Sequence, residues 1–295
     1  MVVFAGQGDA RRSMSLLWRA ERPEQARRGS APGPRPGLSV DAIVTAAIAV
    51  ADEEGMAALS MRAVGERLGR TAMALYTYVP GKGELLDLMY DAVHVELPGS
   101  GAYADTADWR AGLTSWARDT LAFQLRHPWV LQVSQARPVL GPHEYAALDT
   151  LVHLLNGTGL GAPLVRRLVG ALTHLVRGCA GTVAEARQAA AVTGEPDEGW
   201  WFARSALLGE VAPDFADRYP ALVAMEHGSA PQPPSAADTG SGEGGAGSGE
   251  GHAGDGGGDA GAMPYLEREA RETFAVGLDV LLDGIEAAIR RTEAP

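Results

Sequence analysis

The chain has 295 residues, a formal net charge of −12 and 46% apolar residues, enough for one large or two modest domains with a real core. Alanine and leucine outweigh aromatics, which favours helices, and there is no apolar run long enough to span a bilayer. The N-terminal MVVFAGQGDARR lacks the apolar core of a signal peptide, and the lone Cys179 can form neither an internal disulfide nor a metal site by itself, so the composition points to a cytoplasmic chain with no cofactor.

In chain order, residues 1–36 are rich in Arg, Pro and Gly and read as a disordered basic extension, although SLLWR at 15–19 is apolar enough to dock. Residues 37–97 then form a small helical head. Val40, Ile43, Val44, Ala47, Ile48 and Ala51 make one apolar face, with Ser39 placed to cap the helix and Gly55 to end it. The stretch LSMRAVGERLGRTAMALYTYVPGKGELL, residues 59–86, packs two short helical patterns around one tight turn. Met61, Val64 and Leu68 recur at i, i+3 and i+7 behind a Ser60 cap, and Gly69 is the stop. Thr71 caps a second stub in which Leu75 and Val79 point inward and Pro80 forbids continuation. Its outer face is Ala72, Met73, Ala74, Tyr76, Thr77 and Tyr78. So short a helix is marginal alone and must be clamped by its neighbours, including a downstream helix carrying Leu85, Leu86, Met89 and Val93.

A helix closing on DEEG, then LSMRAVGERLG, then ALYTYVPGKGELLDLM resembles the DNA-binding domain of the TetR family of bacterial one-component repressors. At the other end FAVGLDVLLDGIEAAI resembles the last helix of that family's regulatory domain. The resemblance implies an all-α fold, with an N-terminal helix-turn-helix, three-helix DNA-binding domain and a larger helical domain for ligand binding and dimerisation. The net charge argues against nucleic acid, yet residues 1–37 hold seven arginines against Asp9, Glu21 and Glu24, and Arg62, Arg67, Arg70 and Lys82 gather near the turn.

By this resemblance Lys82 is a phosphate-binding lysine, and Arg62 faces DNA as a base reader, a phosphate contact or a solvated helix residue. Lys82 opens a helix whose N-terminus attracts anions, with Gly81 where a polar cap is usual. Tyr76 and Tyr78 align with positions that touch the backbone or groove wall. Base reading falls to Ala72, Met73, Ala74 and Thr77. Ser60 and Thr71, the two caps, complete the expected DNA-binding set. The stub has no Arg, Asn or Gln able to pair bidentately with guanine or adenine, so the operator is not deducible.

Residues 106–292 read as helices over 109–126, 129–135, 143–156, 163–191, pieces of 199–226, and 264–291. Residues 228–262 interrupt them with thirteen glycines and no large apolar residue, a disordered insertion. Its two GxGxxG matches, at Gly240-Gly242-Gly245 and Gly249-Gly251-Gly254, follow no strand and read as spacer. The family's ligand cavity would draw on Trp116, Phe123, His127, Trp129, Tyr145, His153, His174, Arg177, Trp200, Trp201 and Phe202, each also open to a core-filling role. No His, Asp or Glu spacing suggests a metal. The family's four-helix dimer interface would use Leu164, Leu168, Leu172, Leu175, Val176 and Val183 with Phe274, Leu278, Leu281, Leu282 and Ile285, unless those faces close the protomer's own core.

The expected partners are therefore a palindromic double-stranded DNA operator, a second copy of the chain and an unidentified small-molecule effector, with no membrane. Repression relieved by the effector is the implied mechanism, with activation left open. Two rivals remain: a helical protein-binding adaptor with a degenerate head, which the acidic balance and the plain stub leave open, and an all-helical enzyme, which the lack of a nucleophile elbow or metal spacing disfavours.

Overall fold

The computed structural model describes residues 3–20, 37–103, 108–226 and 264–293. Among these it contains twelve α-helices and three 3-10 turns, and no strand beyond an isolated bridge between Val3 and Val133. None of its helices is long and apolar enough to cross a membrane. Residues 21–36 and the expected insertion at 228–262 lie outside the described residues.

The head is built from α1 (Ala10–Leu17), α2 (Val40–Glu54), α3 (Met61–Arg67), α4 (Ala72–Tyr76) and α5 (Lys82–Val93). Local caps set its boundaries. The hydroxyls of Ser39 and Ser60 each accept a backbone N–H three residues on, from Ala42 and Ala63, at 3.1 Å. Gly69 turns the chain with φ 63°, a region that costs other residues a Cβ clash. Gly65 permits a closer approach: a Cβ there would stand 2.7 Å from the Arg70 carbonyl oxygen, so only glycine lets the turn fold back onto α3. Ile43, Leu59, Val64, Leu75, Val79, Leu85 and Met89 meet in the core between the helices.

The first turns of the chain correct one expectation. Residues 3–20 are part of the packed head rather than of a disordered extension. Asp9 caps α1 by accepting the Arg12 N–H at 2.8 Å, Leu17 is buried, and the Gly6 N–H donates to Asp87 on α5 at 2.9 Å. Val3 exchanges backbone hydrogen bonds with Gln132 and Ser134, both at 2.8 Å. SLLWR does dock, and the long-range partners that hold it are absent from its own stretch of sequence.

Beyond the head lie α6 (Trp109–Arg126), α7 (Pro142–Asn156), α8 (Ala162–Thr193) and α12 (Tyr265–Glu293). Leu113, Leu151, Leu155, Leu172, Val176, Leu282 and Ile285 close a second core among them. Residues 129–135, expected as a helix, instead form a 3-10 turn over Pro128–Gln132. The described residues within 1–186 and 266–295 constitute one compact unit. The second unit, 187–265, contains α9 (Asp197–Val211), α10 (Phe215–Arg218) and α11 (Pro220–Glu226) among its described residues. Within it Trp200 and Trp201 meet edge to face, and the Arg204 guanidinium lies 4.5 Å from the Trp200 ring centre.

Candidate functional site

The exposed edge of the helix-turn-helix is small and mostly uncharged. Met73 projects furthest, 74% exposed, with Tyr76, Thr77 and Tyr78 beside it. Ala72 and Ala74, expected on the outer face, are half-buried and pack on the head core. A five-residue helix with one buried residue, Leu75, must turn part of its girdle to its neighbours. The Ser60 hydroxyl is occupied by its cap, and Thr71 accepts the Ala74 N–H more loosely, at 3.4 Å.

Besides the exposed Arg70 in the turn itself, three cations near this edge are in different states. Arg67 is held by a two-pronged bond to Glu53, at 2.6 and 2.7 Å, which returns its charge to α2. Arg62 is loosely retained by Glu66, one turn on, at 2.8 Å, and its side chain remains 85% exposed. Lys82 is exposed as the first residue of α5, and Gly81 before it contributes no side-chain cap. The same first turn holds the buried carboxylate of Glu84, which accepts the Asp9 N–H, so the exposed Lys82 ammonium is the group here suited to a phosphate.

At the far end of α5 the chain lines a half-open cavity of about 250 Å³. Tyr90 and His94 enter from α5 and its 3-10 extension, Trp116, Thr120, Phe123 and Gln124 from α6, Glu144, Tyr145, Leu148 and Leu151 from α7, and Arg177 from α8. Of the residues expected on this wall, Trp116, Phe123, Tyr145 and Arg177 stand there. His127 does not: its ring is buried between Asp52, 2.8 Å from Nδ1, and Glu96, 3.2 Å from Nε2. Trp129 does not either, since its indole N–H donates to the same Asp52 at 2.8 Å in the head core. Both satisfy polar groups of the fold instead of facing a ligand. His153 is exposed on α7, and His174 borders a separate shallow hollow between α8 and α12. Trp200, Trp201 and Phe202 are exposed on α9 in the second unit.

The cavity's ionisable groups are already engaged. Burial lowers the pKa of the Arg177 guanidinium, which donates to the carbonyls of Val130, Leu131 and Val133, the last at 2.9 Å. Burial raises that of Glu144, whose carboxylate accepts the Leu140 N–H at 2.6 Å. Burial pushes the Tyr90 phenol up to about 12, so it stays protonated. Burial also pushes His94 down, although its Nδ1 lies 2.6 Å from the Tyr90 carbonyl oxygen. A carbonyl can only accept, so in the neutral ring the proton sits on Nδ1 and Nε2 is left as an acceptor.

The expected dimer surface is also partly reassigned. Leu172, Val176, Val183, Phe274, Leu278, Leu282 and Ile285 are buried within the protomer. Leu168, Leu175 and Leu281 are half-buried against the same core, with Leu175 3.0 Å from where a Gly277 Cβ would be. Periodicity marks the apolar face of each helix, and here that face turns to the protomer's own core. The apolar residues these helices leave outward include Leu164, at 40%, and Val276 and Val280, at 64% and 66%.

Residues 43–89 match the family model "Bacterial regulatory proteins, tetR family", and residues 103–233 match "Tetracyclin repressor-like, C-terminal domain". The chain is 40% identical over 223 residues to the HTH-type transcriptional repressor DrrR1 of Streptomyces coeruleorubidus, covering 75% of this chain and 78% of that protein. It is 32% identical over 203 residues to an HTH-type transcriptional regulator of Saccharopolyspora erythraea, covering 68% and 78%. Its fold is similar to that of apo ActR from Streptomyces coelicolor, with a TM-score of 0.58 at 21% identity, covering 89% of this chain and 100% of that one.

Proposed function

The chain belongs to the TetR family of bacterial regulatory proteins, and from that premise we infer that it is a ligand-responsive, DNA-binding transcriptional repressor. One observation carries the coupling. The helix α5 begins at Lys82, beside the turn, and its last turn delivers Tyr90, with His94 following directly, to the cavity wall. Twelve residues at 1.5 Å each make a rod of about 18 Å. A ligand that shifts the cavity end of so short a rod displaces the phosphate-binding end with it.

On the DNA side, α4 lies in the major groove with Met73 and Thr77 toward the bases. Apolar contact with thymine methyls and one hydroxyl provide limited readout. Lys82, Tyr76 and Tyr78 fix the backbone, and Arg62 exchanges Glu66 for a phosphate or base. Ser60 and Thr71 hold the two helix starts that present these groups. A head with so few contacts gains affinity and selectivity from a second copy reading a palindromic half-site. The outward stripe of Val276 and Val280, with Leu164 on α8, is the surface we assign to that pairing.

On the effector side, the unliganded dimer holds both heads at operator spacing, and a ligand favouring another separation releases the DNA. Reversing a 1:99 balance to 99:1 requires about 5.5 kcal/mol of differential affinity. The test begins by selecting bound duplexes from a random pool, then measures affinity for the winner against salt and against small molecules that raise the melting temperature. A repressor gives a steep salt slope and loses DNA to at least one such molecule. Salt-independent binding, or ligands that never change DNA affinity, would reject the reading.

A further inference from the structure

Trp116, Thr120, Phe123 and Gln124 stand on the cavity wall from one stripe of α6, at i, i+4, i+7 and i+8. Two of them are polar and deeply enclosed, Thr120 being 8% exposed and Gln124 6%. Among the described residues nothing hydrogen-bonds Thr120 Oγ1 or Gln124 Oε1. A buried polar atom without a partner is costly, and most such atoms in folded proteins are satisfied. The two side chains stand one helical turn apart on the cavity wall, where a guest carrying a donor can supply the partner that each lacks. His94, on the same wall, adds Nε2 as an acceptor because its Nδ1 serves the Tyr90 carbonyl.

The charged groups on the wall restrict what the guest can be. Arg177 directs its guanidinium at three backbone carbonyls, and Glu144 accepts the Leu140 N–H. Hydrogen bonds to neutral carbonyls leave the guanidinium charge in place, so Arg177 and Glu144 set opposite charges on one wall and together favour neither sign of guest. The remainder of the wall is apolar or aromatic, with Tyr90, Trp116 and Phe123 suited to flat faces. We infer that the cavity takes an uncharged, planar aromatic compound bearing a hydroxyl or N–H that donates to Gln124 Oε1, with Thr120 and His94 completing the polar edge. This rests on the reading of the cavity as the effector site.

The experiment compares four two-ring probes on the full chain by equilibrium dialysis: β-naphthol, naphthalene, β-naphthoate and β-naphthylmethylammonium. β-Naphthol is expected to bind about tenfold more tightly than naphthalene, the worth of one buried neutral hydrogen bond, with both ions weaker still. Gln124→Leu should erase the preference for naphthol while leaving naphthalene affinity unchanged, and Thr120→Val should reduce it. Both variants keep side-chain size, and melting curves check that each is folded; if one is not, the other and the wild-type ranking decide. Equal binding of naphthol and naphthalene, no binding by any probe, or a preference that survives Gln124→Leu would overturn the proposal. Tightest binding by the ammonium would do the same, moving the anchor to Glu144. Displacement of a selected duplex by β-naphthol is scored separately. The expected ranking without displacement keeps the cavity chemistry and rejects the effector reading, whereas displacement without the ranking rejects the chemistry alone.

Discussion

Asp91 Oδ1, on α5, accepts the backbone N–H of His143 at 2.9 Å, and that of Glu144 at the same distance. The N-terminus of α7 is thereby capped by a side chain of the DNA-binding head instead of by its own preceding residue, Gly141, which makes no side-chain cap. The cap joins the helix that starts at Lys82 to the helix that carries Glu144 and Tyr145 into the cavity.

Asp91→Ala is therefore expected to destabilise the chain by about 1–2 kcal/mol, the usual cost of a lost N-cap, while Asp91→Asn, which keeps an acceptor, costs less. The same Ala variant should bind selected duplex but respond to effector with a smaller change in affinity. Urea unfolding and effector titrations of the DNA complex measure the two effects, and an unchanged effector response would remove Asp91 from the coupling path.

His94 provides a pH signature. Its pKa lies below the ordinary 6.5 because burial disfavours the imidazolium, outweighing the help of the Tyr90 carbonyl and Asp91 on its own helix, while His143 on α7 and His127 after α6 oppose the charge further. The unfolded chain then takes up this proton more readily than the folded one, so stability is full above about pH 6.5 and falls as the pH drops through 6.5 toward the lowered value. His94→Gln, neutral throughout, should flatten that part of the profile. Unfolding curves between pH 5 and 7.5 with identical slopes for both proteins would exclude His94 as the titrating group.

How far the sequence was legible depended on whether the deciding interaction was local. Ser39, Ser60 and Thr71 cap helices through N–H groups three residues away, so the head helices could be placed from the chain alone. His127 and Trp129 were read as pocket residues for their chemistry, but their partner Asp52 is 75 and 77 residues distant. The docking of residues 3–20 was hidden in the same way, since Asp87 and Gln132 hold them from afar. Thr120 and Gln124 were missed despite a visible signal: polar residues sharing the inward stripe of α6 with Leu113, Trp116 and Ala117.

The packed N-terminus predicts a measurable cost for disturbing it. Leu17→Ala removes a buried side chain from the core shared with α5 and should lower unfolding free energy by roughly 2–3 kcal/mol. A change below about 0.5 kcal/mol, the range of surface substitutions, would show that these residues are peripheral in solution.

Lys82 and Thr77 should separate affinity from selectivity. Lys82→Ala is expected to weaken binding to every duplex and to reduce the salt slope by about one, as for a lost phosphate contact. Thr77→Ala should reorder preferences among duplexes with the slope unchanged. Parallel losses on all sequences from both variants would contradict this division of labour.

The outward stripe of α12 separates association from folding. Val276 and Val280 lie one turn apart and exposed, whereas Leu278 and Leu282 between and beyond them are buried. A charge at an exposed position costs the folded protomer little, yet at a self-complementary interface each substitution appears twice, near its own copy. Val276→Asp with Val280→Asp is therefore expected to yield a folded monomer by analytical ultracentrifugation, with duplex affinity falling at least tenfold as the second head is lost. Leu282→Asp, by contrast, places a carboxylate in the protomer core and should unfold the chain. A double Val variant that remains dimeric would place the interface elsewhere than on this stripe.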